Sequence, residues 1–123
     1  MLDWYELLKH DGIVKVHRTY SKENAEDILL NGFFLSEDDL YKTTDEITLD
    51  EIHIDWILTL RKSYGDFLII IHLKKEHFNE YEYFKEPIIK NDISLICKVP
   101  SKFIKGYVNL KTNEYKININ YKL

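Results

Sequence analysis

One cysteine, Cys97, stands in the whole chain. It has no second thiol to pair with, so an internal disulfide is excluded, and no Cys/His spacing offers the ligands of a structural zinc. The simplest expectation is a reducing, cytoplasmic setting. Long apolar runs are missing too. The longest, Phe67 to Ile71, falls far short of the roughly 20 residues that cross a bilayer as a helix. The amino terminus lacks the charged-then-apolar pattern of a secretory leader. No G-x-x-x-x-G-K-[ST] phosphate loop, G-x-G-x-x-G fingerprint or H-E-x-x-H metal helix occurs. A basic surplus is also absent: net charge is −4, which disfavours nucleic acid as a partner. Lysines gather from Lys85 to Lys122 and acids from Glu37 to Asp55, which reads as two solvated faces of opposite sign.

What is present suits a folded chain. Apolar residues make up 45% and charged residues 31%, which fits neither disorder nor a membrane class. With 123 residues and no linker, repeat or low-complexity tract, one domain over 1–123 with a sizeable core is expected.

Residues 1–11 predict a helix, with Trp4, Leu7 and Leu8 at helical spacing, Asp3 as its cap and Gly12 as its stop. Ile13 to His17 reads as a strand. Ser21 is suited to cap a second helix, whose apolar stripe is Ala25, Ile28 and Leu29 and whose stop is Asn31-Gly32. Phe33 and Phe34 then return to the core. Residues 36–47 read as an irregular polar loop. Thr48 and Glu51 form a capping box, stapled by Ile47 and Ile52, for a third helix that ends at Tyr64-Gly65. Its apolar face is Leu49, Ile52, Trp56 and Leu60.

Phe67 to Leu73 is continuously apolar and predicts a central strand covered on both faces. Residues 74–87 fit helix or loop equally. Ile93, Leu95, Cys97 and Val99 alternate as a strand does, Pro100 opens a turn, and Tyr107–Leu110 with Tyr115–Ile119 read as a hairpin. The order gives an α+β fold: a small mixed or antiparallel sheet with N-terminal helices.

Most polar residues have a plain structural reading. His72 and His77 lie at a strand end with no third ligand in view, and Cys97 reads as a buried core thiol. Glu37, Asp38 and Asp39 lack calcium-loop spacing. Nine tyrosines and six phenylalanines serve either a ring-stacking pocket or simply the buried area of a small core.

One stretch says more. In VHRTYSKENAEDILLNGF, residues 16–33, a strand ends in H-x-T, a polar turn follows, and a helix of the form A-x-x-I-L-x-x-G-F closes the unit. This resembles the first segment of the ADP-ribosyltransferase-like proteins, the group that includes poly-ADP-ribosyl and toxin-type enzymes. YGDFLIII and VPSKFIKGYV extend the likeness to a core strand and to closing strands. The resemblance implies an ADP-ribosyltransferase-like fold with NAD as substrate. His17, Arg18 and Thr19 would line the NAD site, the histidine bonding the nicotinamide-side ribose, and Tyr41 or Tyr64 would stack on the nicotinamide ring. Where the family carries a glutamate at the start of a late strand, this chain offers Asp92 or, before Pro87, Glu86. That acid would stabilise the cationic transition state, an effect worth several kcal/mol in pre-organised sites. A strand-end histidine bonded to a backbone carbonyl is the structural alternative for His17.

Two functions follow from the resemblance. The first is transfer of ADP-ribose from NAD to a macromolecule. The second is a catalytically inactive member that binds a nucleotide or a protein, as a phage-type inhibitor or an immunity protein does. An RNA-directed toxin using the late lysines and tyrosines is a third reading, against which the acidic total counts.

Overall fold

A computed structural model of the chain describes residues 3–35, 45–47, 53–74 and 97–122. It is the expected α+β arrangement, an antiparallel sheet with few helices. The strands are β1 (Ile13–Thr19), β2 (Phe33–Leu35), β3 (Asp45–Ile47), β4 (Phe67–Leu73), β5 (Cys97–Val99), β6 (Ile104–Asn109) and β7 (Tyr115–Ile117). Five form one sheet in the order β3-β1-β4-β6-β7, and β2 pairs with β5 in a second, two-stranded sheet. The α-helices are α1 (Lys22–Asn31) and α2 (Ile54–Thr59).

β4 lies at the centre because its sequence allows nothing else. Leu68, Ile69, Ile70, Ile71 and Leu73 are all fully buried, and each such side chain adds about 1.5–3 kcal/mol when removed from water. Successive residues point to opposite faces, so the strand feeds two cores. Ile69, Ile71 and Leu73 pack under α1 with Ala25, Ile28, Leu29, Phe103 and Tyr107. Leu68 and Ile70 pack on the other face with Trp4, Leu7, Val14, Val16 and Ile57. The register with β6 slips between Ile70 and Ile71, a bulge that leaves Lys105 without a partner on β4.

α1 is built as its sequence predicts. The Ser21 hydroxyl accepts a 3.1 Å bond from the Asn24 amide. The helix stops where Gly32 takes φ +73, with its α-carbon so close to the Val99 carbonyl that a Cβ would stand 2.2 Å from the oxygen. The hairpin is present too, with β6 beginning three residues earlier than the periodicity suggests. Below it Asn118 is buried, donating to the carbonyls of Ile104 (2.9 Å) and Ser101 (3.1 Å) and accepting from the Asn120 amide.

Elsewhere the structure corrects the reading. The first helix is a 3₁₀ helix of six residues, Asp3–Leu8, and Asp3 lies inside it rather than capping it. Trp4 and Leu7 are three apart, a spacing that the tighter helix stacks on one side. β1 runs two residues past His17 because β4 offers partners as far as Thr19↔Phe67. Asp45–Ile47, expected in a loop, is strand β3, aligned on β1 through Val14↔Ile47.

The third helix is shorter than expected: it starts at Ile54 after His53 and ends at Thr59. Arg61 at φ 50 breaks it, and a separate 3₁₀ turn, Lys62–Tyr64, leads to Gly65 at φ 124. With so short a helix, Ile57 and Leu60 reach the core, while Trp56 is 41% exposed. The capping box Thr48/Glu51 with Ile52, residues 36–44 and residues 75–96 lie outside the described residues. So do the side chains of Phe33, Phe34 and Cys97.

Candidate functional site

The carboxyl end of β1 carries the residues singled out by the sequence. His17, Arg18 and Thr19 are all buried, at 4%, 3% and 7% exposure. Strand alternation divides them. His17 and Thr19 stand opposite Ile69 and Phe67, on the α1 face. Arg18 stands opposite Leu68, on the face of Val14 and Val16. The H-x-T pair therefore shares one side of the sheet and the arginine between them takes the other.

Arg18 is the least satisfied group of the three. Its Nη2 donates to the Leu58 carbonyl at 3.2 Å, one of the last carbonyls that α2 leaves without an intrahelical partner. Its Nε and Nη1 are buried with no hydrogen-bond partner among the described residues. Burial lowers its pKa and the Asp66 carboxylate acts in the opposite direction; the guanidinium stays cationic.

Tyr64 sits close by. Arg61 lies over its ring at 5.8 Å, and the next residue, Gly65, packs so closely on the Thr19 carbonyl that a Cβ would come within 2.1 Å. Tyr41, Glu86 and Asp92 lie outside the described residues, and so do His77 and the acids Glu37, Asp38 and Asp39. Among the described residues no group of three His, Cys, Asp or Glu side chains is arranged to hold a metal.

At the same end of the sheet, between α1 and the β6–β7 hairpin, is a cavity of about 380 Å³. Phe67 and Tyr107 line it edge to face, centroids 5.7 Å apart. Phe67 is the cross-strand neighbour of Thr19. Lys22 and Glu26 come from α1, and Glu114 and Lys116 from the hairpin. Glu26 accepts from Lys116 Nζ at 2.8 Å and from the Tyr107 hydroxyl at 3.1 Å. The lysine hydrogen bond, with help from the tyrosine, holds the Glu26 carboxyl below its usual range. Burial, then Glu26, pushes the Tyr107 phenol up to about 12. His17, Arg18, Thr19 and Tyr64 do not line this cavity.

Sequence reasoning did not find this cavity. Glu26 and Lys116 are 90 residues apart, and only the i, i+4 placement of Lys22 and Glu26 on the polar side of α1 hinted at a shared surface. A second polar cluster, around His72, also went unread beyond the remark that His72 has no metal partners. His72 Nε2 donates to the Leu7 carbonyl at 2.6 Å and Nδ1 meets the Tyr121 hydroxyl at 2.9 Å, so both ring nitrogens are occupied.

No family model, curated protein or solved structure matches this chain. Among the described residues no helix is long and apolar enough to cross a membrane.

Proposed function

We propose that this chain is a small ADP-ribosyltransferase-like protein that binds NAD or a related nucleotide at the carboxyl end of β1, in the cytoplasm. The observation that carries the reading is Arg18, a buried guanidinium with Nε and Nη1 unpartnered among the described residues. A buried unmade hydrogen bond costs about 1–3 kcal/mol. A ligand anion removes that cost, and the planar fork of arginine matches a phosphate through two parallel bonds. A dinucleotide also carries planar rings. The cavity walled by Phe67 and Tyr107 falls within the roughly 300–1,000 Å³ of small-molecule sites; it lies on the sheet face opposite Arg18, so a dinucleotide that meets both wraps the end of β1. His17 and Thr19 share the cavity's sheet face, as the H-x-T resemblance implies for residues that meet the ribose.

In this reading the nicotinamide–ribose bond breaks with its electron pair leaving on nicotinamide. Asp92 or Glu86 steadies the cationic ribose, and a nucleophile of a macromolecular target takes the ribose carbon and gives up its proton to the carboxylate or water. Tyr64 or Tyr41 stacks on the nicotinamide.

The test mixes the protein with NAD, follows free nicotinamide by chromatography, and reads the thermal midpoint with and without NAD or ADP-ribose. Nicotinamide release with a raised midpoint supports transfer. A raised midpoint without release supports the inactive nucleotide binder. No shift at millimolar NAD or ADP-ribose, together with no nicotinamide, refutes the proposal.

A further inference from the structure

The two ends of the described chain converge on one imidazole. His72 lies on β4, is 1% exposed and stands opposite Val14. A carbonyl can only accept, so Nε2 carries the proton that bonds Leu7. Nδ1 then has a lone pair and accepts from the Tyr121 hydroxyl. The neutral ring thus fills both of its hydrogen-bonding roles, one with the first 3₁₀ helix and one with the C-terminal tail.

Charged and titratable groups surround it from three sides. His10 stacks flat on it, centroids 4.5 Å apart and planes 3° from parallel, its own Nε2 bonded to the Leu73 carbonyl. Asp11 lies 3.9 Å from His10 Nδ1. From β6, Lys105 Nζ sits 4.5 Å from the centre of the Tyr121 ring, which meets His72 edge-on. The tail is otherwise held by the Lys122 amide on the Lys102 carbonyl and the Tyr121 amide on the Asn118 carbonyl.

We propose that His72 is an acid-released latch, which holds the tail through Tyr121 only while its ring is uncharged, the Nε2 bond to Leu7 persisting in both forms. A proton on Nδ1 removes the lone pair that accepts from Tyr121, so the hydroxyl must turn and accept instead, and it places a charge on a ring that is 1% exposed. It also sets a cation against the His10 ring and the Lys105 ammonium. The proton enters when the tail lifts, because the closed ring is out of reach of water.

The direction in pH follows. Burial and the neighbouring His10 and Lys105 push the ring from 6.5 down to about 4, against the Leu7 bond, which acts upward. The latch is at full strength above pH 6.5, where open and closed forms are both neutral. Below it the open form takes a proton that the closed form refuses, until the closed form also titrates near pH 4. The open population should rise roughly thirtyfold between pH 7.5 and 5.

The experiment is amide exchange of Tyr121 and Lys122 by NMR, corrected for intrinsic rates, across that range on the full chain. The expected result is a fall in protection of roughly thirtyfold, and a flat profile in His72→Gln. Tyr121→Phe, a change in the tail that leaves the core and the burial of His72 intact, should lower protection at pH 7.5 and keep most of the fall on acidification. If His72→Gln does not fold, the His72 ring titration followed by NMR in the parent protein decides. Protection that does not change with pH, a fall of undiminished size in His72→Gln, or a ring that titrates at the ordinary histidine value overturns the proposal.

Discussion

Arg18→Met should make the protein more stable and less responsive to ligand. Methionine matches the length and much of the volume of the arginine stem and carries no donors. The change removes the unpartnered Nε and Nη1, which together cost about 2–6 kcal/mol at 1–3 kcal/mol per unmade bond. Against this stands the loss of the 3.2 Å bond to the Leu58 carbonyl, about 1.5–3 kcal/mol for a charged donor. Replacing buried ionic groups by apolar side chains of similar volume is often neutral or stabilising by about 1–4 kcal/mol, so a net gain of about 1–3 kcal/mol is expected. Urea unfolding monitored by tryptophan fluorescence reads it directly, as a raised midpoint at unchanged slope. The same samples, warmed with NAD, ADP-ribose or pyrophosphate, should show a shift in the parent protein and none in the variant. Suppose instead that the variant loses more than about 2 kcal/mol. The guanidinium would then be well satisfied without a ligand, and the physical case for an anion at the end of β1 would fall.

Two further substitutions test the frame on which that site rests. Gly32→Ala forces a side chain into φ +73 and against the Val99 carbonyl, and should cost about 3 kcal/mol or more; a urea midpoint near that of the parent would show that the turn yields. Asn118→Asp keeps the shape but turns a donor into an acceptor facing the carbonyls of Ile104 and Ser101. It should cost about 3 kcal/mol at neutral pH and more than Asn118→Ala, an order that chemical denaturation of the pair would confirm or reverse.

Local signals in the sequence were read well where short-range chemistry decides the structure. Ser21 caps α1 because its hydroxyl is three residues from the amide it accepts, and Gly32 stops it because no other residue sits easily at that φ. β4 announces itself through an unbroken apolar run that only a doubly covered strand can bury. The misreadings arise where a distant partner decides. Asp45–Ile47 looks polar and irregular until β1 supplies its ladder. Helix α2 stops short of its expected end at Tyr64-Gly65 because Arg61 takes a left-handed turn, which carries no advance signature.

At the candidate site the pattern is the same. His17 and Thr19 were legible as a unit, and their common face follows from a period of two. The burial of Arg18 was not legible, because a charged residue in a strand is normally solvated and its bond to the Leu58 carbonyl of α2 joins residues forty apart. The ion pair of Glu26 with Lys116 joins an early helix to a late strand. No spacing in the sequence encodes that meeting.

The pairing of β1 with β4 also bears on how the chain is made. Ile13 finds its β4 partner in Leu73, roughly sixty residues later, a long-range closure of the kind that slows folding. On the ribosome, the amino-terminal third must wait with Val14, Val16 and the uncovered stripe of α1 until the central strand clears the exit tunnel. Nascent-chain lengths that stop short of that point should recruit chaperones, and those that pass it should release them.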